Sequence, residues 1–136
     1  MLEVTATWLG GYHSRVQARV HEITIDEPEP SGGDQGMMPT EAFCASIASC
    51  FCLALGHVAT KRGRDLPGLR VVVRAHRPGT ELRYDRFEIE AQADVAEDEL
   101  ASLLEPARRV CWVSNTLVHG VELEYRYTSV DGRSPR

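Results

Sequence analysis

"PTEAFCASIASCFCLALGHVATKRG", Pro39 to Gly63, decides how the rest of the chain is read. A proline and an acidic residue open it, as suits the first turn of a helix, and cations and a glycine close it. Between those ends nearly every side chain is apolar or small on all faces, so the spacing predicts a long buried helix wrapped by other structure on every side. Its longest apolar run, Ala42 to Leu55, is interrupted by Ser46 and Ser49 and falls short of the roughly 20 residues a bilayer crossing needs. No membrane span or membrane partner is expected. Three of the four cysteines lie in this one segment.

Upstream, Leu2, Val4, Ala6 and Trp8 alternate with polar residues. Gly10 and Gly11 mark a turn before a second run, Arg15 to Ile25, which predicts a β-hairpin. The apolar phase slips near Val20 and His21, as at a bulge or bend. "EPEPSGGDQGMMP" is a loop by composition, long enough to be functional. Downstream, Leu69, Val71, Val73 and Ala75, then Phe87, Ile89, Ala91, Ala93 and Val95, predict a second hairpin. Leu100, Leu103, Leu104, Ala107 and Val110 recur at helical spacing, with Pro106 a candidate kink. A short helix is expected from Trp112 to His119, stopped by Gly120, and "VELEYRY" is expected to close the chain as a strand. The order ββ, α, ββ, αα, β defines an α+β domain over residues 1–128, with a flexible C-terminal tail at 129–136.

A chain of 136 residues, 43% apolar, has room for one domain with a real core. The net charge of −5 comes with no basic stripe beyond Lys61 to Arg64, which argues against a nucleic-acid partner. The first residues alternate like a strand and lack the continuous apolar run of a secretion signal, so a cytoplasmic protein is expected. In a reducing compartment, cysteines serve as buried hydrophobes, metal ligands or catalytic groups more often than as structural disulfides.

At about 100° per residue, Cys44 and Cys50 lie roughly 120° apart around the helix, and Cys52 lies nearly opposite Cys50. They do not converge on one metal, and no metal site is expected. Cys44 and Cys52 read as small core fillers. Cys111 falls where one helix ends and "CWVSNTL" begins, near a helix N-terminus that favours a thiolate. Spacing alone leaves a redox pair and two more buried cysteines equally open for Cys50 and Cys111. His57 shares the Cys50 face, but no Asp or Glu is positioned by sequence to orient it as a base.

"PTEAFCASIASCFCLAL" and the later "ARRVCWVSNTL" together resemble the OsmC/Ohr superfamily of organic hydroperoxide reductases. That pattern has a small-small-C ending eleven residues after a proline, as Cys50 follows Pro39, and a late C-P-V-S/N-x-x-L motif that Cys111 opens here. The resemblance runs from the first hairpin to the last strand. It implies an OsmC-like fold, antiparallel sheets around a long central helix in an intertwined homodimer. It implies a thiol-dependent peroxidase in which Cys50 attacks an organic hydroperoxide and Cys111 resolves the product as a disulfide. It implies no metal, flavin or haem cofactor, and recycling by a dithiol or a lipoylated protein.

The organic-hydroperoxide branch carries an arginine after its "GG" turn and a glutamate after the helix-opening proline. Tyr12 and Thr40 hold those places here, and Trp112 replaces the proline after the second cysteine. Glu41 matches an acidic position of the wider superfamily and Arg15 is the nearest base in the first hairpin. Arg15, Glu41 and Tyr12 are the residues the resemblance offers for activating the thiolate or lining its pocket. These departures mark a divergent member. The rival expectation is a catalytically silent OsmC-like module that binds a small hydrophobic ligand.

Overall fold

A computed structural model of the chain describes residues 1–130. The elements are β1 (Thr5–Trp8), β2 (Ser14–Ala18), β3 (His21–Ile25), α1 (Pro39–Lys61), β4 (Arg70–His76), β5 (Arg86–Gln92), α2 (Glu97–Val110) and α3 (Trp112–His119). They form a three-stranded sheet, β1-β2-β3, and a two-stranded sheet, β4-β5, both antiparallel. The architecture is the expected α+β arrangement.

The run Arg15 to Ile25 is two strands rather than one strand with a bulge. Ala18 pairs with His21 across a two-residue loop, and Arg19 takes the left-handed φ of 55° that such a loop demands. The slip in apolar phase is this turn. In the second hairpin Val71 faces Ala91, Val73 faces Ile89 and Ala75 faces Phe87, so the apolar alternation does set the register. The opposite face is an ion ladder, with Arg74 3.2 Å from Glu90 and His76 and Arg86 both on Glu88.

The acidic, glycine-rich loop folds around one side chain. Asp26 is buried, and its carboxylate accepts backbone N–H groups from Glu27 (2.8 Å), Gly33 (3.3 Å) and Gln35 (3.1 Å). The loop then returns beside β3, where the Asp26 amide donates to the Met37 carbonyl. A Cβ on Gly36 would run into the Thr24 carbonyl, so the close approach demands glycine. The loop thereby fixes where α1 starts. Hydrogen bonds from Glu27 and Gln35 hold the Asp26 pKa below its usual value; burial opposes them, and Gly33 and His13 assist. A depressed carboxylate contributes stability above its unfolded pKa and loses it as pH falls through the folded pKa. Asp26→Asn is therefore expected to lower the thermal midpoint at pH 7 and to converge on the wild type in acid. Parallel melting curves at neutral and acid pH check this.

α1 buries one face. Ile47, Phe51, Ala54, Leu55, Val58 and Ala59 are enclosed, at the i, i+4, i+7, i+8 spacing of a single stripe, and from Phe51 onward they cluster with Leu103 and Ala107 of α2 and with Cys111. The opposite face is not wrapped within one chain. Ser46, Ser49, Leu53 and His57 are open, Leu53 at 75% exposure. A single chain thus supplies the cover expected on every side along one stripe only. At 23 residues α1 is also long and apolar enough, by length and composition alone, to cross a bilayer, where the shorter run Ala42–Leu55 was expected to fall short. In the fold it lies along α2, α3 and β4.

Pro106 neither breaks nor ends α2, which runs through it to Val110. Lacking an N–H, it leaves the Ser102 carbonyl without its helical donor. Arg62, at the C-terminus of α1, fills that place with a long contact of 3.5 Å.

Two segments stand apart from this body. The strands β1 to β3 pack chiefly on one another, and every β1 side chain is exposed. "VELEYRY", Val121 to Tyr127, is not a strand: it lies exposed beyond Gly120 and pairs with no strand among the described residues. Alternation gave it an apolar face, but it joins neither sheet among the described residues. Of the tail expected at 129–136, residues 131–136 lie outside the described residues.

Candidate active site: two thiols between α1 and α3

Cys50 comes from the middle of α1 and Cys111 from the corner between α2 and α3, sixty-one positions apart in sequence. The fold brings them together. Cys50 packs against the buried cluster that contains Cys111. Both are free thiols; Cys111 is completely enclosed, whereas Cys50 is half-buried.

Cys111 is the N-cap of α3, with an extended backbone (φ −87°, ψ 102°) at the helix start. Burial pushes its pKa up. Against that, the polar groups of Ser114 and Val113 at the start of α3 and the neighbouring Cys50 thiol favour the thiolate, and the Cys111 pKa lies below that of a free thiol; the Ser114 hydroxyl itself donates to the Cys111 carbonyl at 3.4 Å. The corner is fixed by Asn115, whose N–H donates to the Cys111 carbonyl (3.0 Å) and whose side-chain amide donates to the Arg109 carbonyl (3.2 Å). Ser114 is the residue that the reading of the cysteines alone overlooks. Its signal is a hydroxyl three positions after a cysteine at a helix start, the geometry by which N3 meets the cap.

The other site candidates lie elsewhere in the chain. Glu41 caps its own helix: its carboxylate accepts the Met38 N–H at 2.9 Å, about 13 Å along the axis from Cys50. Arg15 is on β2, paired with Glu22 at 3.4 Å, and Tyr12 is exposed in the β1–β2 turn. Cys44 lies nearer the N-terminus of α1; burial and then the Glu41 charge raise its pKa, as expected of a filler rather than a nucleophile.

Two turns before Cys50, Phe43 lines a cleft of about 620 Å³ between the start of α1, the β4–β5 hairpin and α3. Phe43, Phe87, Tyr84 and Leu117 give it an apolar wall, and the Phe43 and Phe87 rings lie 5.6 Å apart. Arg77 and Arg83 stand at the cleft, with Arg77 held by the Thr80 and Glu81 carbonyls and Arg83 by the Glu81 carboxylate.

A long central helix whose Cys50 packs against the helix corner that holds Cys111, flanked by two antiparallel sheets, defines the α+β architecture. Residues 32–126 match the OsmC-like protein family, and the chain belongs to that family. Its fold is similar to that of an OsmC-like protein from Mycoplasma pneumoniae (18% identity, 87% of each chain, TM-score 0.74). It is also similar to an organic hydroperoxide resistance protein from Elizabethkingia anophelis (27% identity, 85% of this chain and 86% of that one, TM-score 0.63) and to one from Legionella pneumophila (23%, 85% and 87%, TM-score 0.63). No curated protein aligns significantly with the chain.

Proposed function

We propose that the chain is a thiol-dependent peroxidase that reduces organic hydroperoxides, with Cys50 as the attacking thiol and Cys111 as the resolving one. The observation that carries this reading is the meeting of a half-buried Cys50 with a fully enclosed, thiolate-favouring Cys111. The Cys50 sulfur attacks the O–O bond, the alcohol leaves, and Cys50 becomes a sulfenic acid. Cys111 then displaces hydroxide from that sulfur and a disulfide forms; a dithiol or a lipoylated protein returns both thiols. The apolar cleft beside Phe43 suits the organic part of such a peroxide, since buried apolar area contributes about 25 cal/mol per Å². The resistance proteins from Elizabethkingia and Legionella, similar in fold, support the substrate class.

The active form in this reading is a homodimer. The open face of α1, the loosely attached β1–β3 sheet and the unpaired Val121–Tyr127 segment are apolar surfaces that a second copy would cover. The same cleft favours a second reading, a silent module that binds a small hydrophobic ligand. Free-thiol titration after one equivalent of cumene hydroperoxide separates the two. The peroxidase loses two thiols rapidly, and unchanged thiol content leaves the binding module.

A further inference from the structure

The chain carries more acids than bases, 20 Asp and Glu against 15 Lys and Arg, yet the charged side chains that line the cleft beside Phe43 are two arginines. Arg77 differs from Arg74 and Arg86 on the same hairpin, which each face a glutamate. Its Nε donates to the Glu81 carbonyl at 3.0 Å, and its Nη2 donates to the Thr80 and Glu81 carbonyls, both at 2.8 Å. These neutral partners fix the guanidinium in the β4–β5 loop without cancelling its charge, and among the described residues no carboxylate pairs with it. Arg83 does have a counter-charge, the Glu81 carboxylate at 2.6 Å. The three groups together leave one positive charge at the cleft.

The apolar wall beside that charge is aromatic. The Phe43 and Phe87 rings lie 5.6 Å apart at 38°, and the Tyr84 and Phe87 rings 6.0 Å apart at 56°. Tilted rings at such spacings offer edges and faces to a further ring, which gains more there than an alkyl chain of equal area. A space of about 620 Å³ is the size of a small-molecule site.

We propose that this cleft binds an aromatic monocarboxylic acid, its ring system against Phe43, Tyr84 and Phe87 and its carboxylate on the Arg77 guanidinium. This deepens the reading of the cleft as the seat of the ligand's organic part and rests on that placement alone, since the acid binds whether or not the thiols turn over a peroxide. The planar fork of an arginine matches the two oxygens of a carboxylate, and one uncancelled positive charge matches a monoanion. Because the loop carbonyls already hold the guanidinium in place, little side-chain freedom is lost when the acid arrives.

Calorimetric titration of the reduced full chain with 2-naphthoate, the neutral 2-naphthalenemethanol and octanoate tests the assignment. The wild type should bind 2-naphthoate saturably and about tenfold tighter than the neutral alcohol, the effect of one charge-assisted hydrogen bond. It should also prefer 2-naphthoate to octanoate, which brings the same carboxylate and no ring. Arg77→Gln should erase the preference over the alcohol. Because Arg77 also holds its loop together, Phe43→Leu on α1 is the second variant, and it should narrow the preference over octanoate while keeping the one over the alcohol. In the wild type, no saturable binding of 2-naphthoate, equal affinity for the alcohol, or equal or tighter binding of octanoate each overturns the proposal. Unchanged affinity for 2-naphthoate in both variants overturns it too. Failure of the peroxidase reading looks different: 2-naphthoate binds as expected, but cumene hydroperoxide leaves Cys50 and Cys111 of the wild type as thiols.

Discussion

Cys50→Ser is expected to reduce hydroperoxide consumption to the rate seen without protein, because the remaining thiols are either the enclosed Cys111 or lie on other faces of α1. Cys111→Ser should behave differently. With its attacking sulfur intact it completes one slow turnover, then leaves Cys50 as a sulfenic acid with no partner, open to further oxidation to sulfinic acid. Intact-mass analysis after one equivalent of peroxide reads both outcomes. The wild type should appear two protons lighter, as an intramolecular Cys50–Cys111 disulfide, and the Cys111 variant should gain oxygen on Cys50. A disulfide needs Cα atoms within roughly 7 Å, and the packing of Cys50 against the cluster that holds Cys111 favours that closure. Added oxygen on Cys50 in the wild type, with no disulfide, would defeat the two-cysteine mechanism.

The second large effect concerns Leu53. It stands three-quarters exposed in the middle of an apolar helix, left largely uncovered by the described residues. Light scattering at micromolar concentration should give about 30 kDa, twice the 15.1 kDa chain, for the wild type. Leu53→Arg should collapse that value toward the single chain. Burying a leucine contributes about 1.5–3 kcal/mol, a buried unpaired cation costs more, and a two-fold interface counts each change twice. A wild type that scatters as a single chain would end the dimer proposal.

The sequence makes some of this fold plain and hides the rest for identifiable reasons. The bounds of α1 are legible because Pro39, Lys61 and Gly63 punctuate it, and β4 and β5 are legible because their alternation is unbroken. Arg19 and Val20 conceal a hairpin turn, since neither is the Asn or Gly that usually signals one. "VELEYRY" shows that alternation reports a face to be buried without saying what buries it. All-round apolarity misleads in the same way for α1: it measures what the finished assembly covers, while one chain covers a single stripe. In the site, the cysteines are visible as residue types but their meeting is not, because it depends on how α2 and α3 turn at Cys111. Glu41 is attractive by position, yet its carboxylate is already committed to a cap.

The proline in α2 matters mechanically. Cys50 rides on α1 and Cys111 on the end of α2, so the gap between the sulfurs is the opening of a clamp whose limbs are those two helices. Because Pro106 frees the Ser102 carbonyl for Arg62, the limbs are tied by a link from side chain to main chain as well as by apolar packing, which alone would let them slide. A residue with no functional group of its own, five positions before Cys111, thereby adds a tether between the two limbs that carry the thiols.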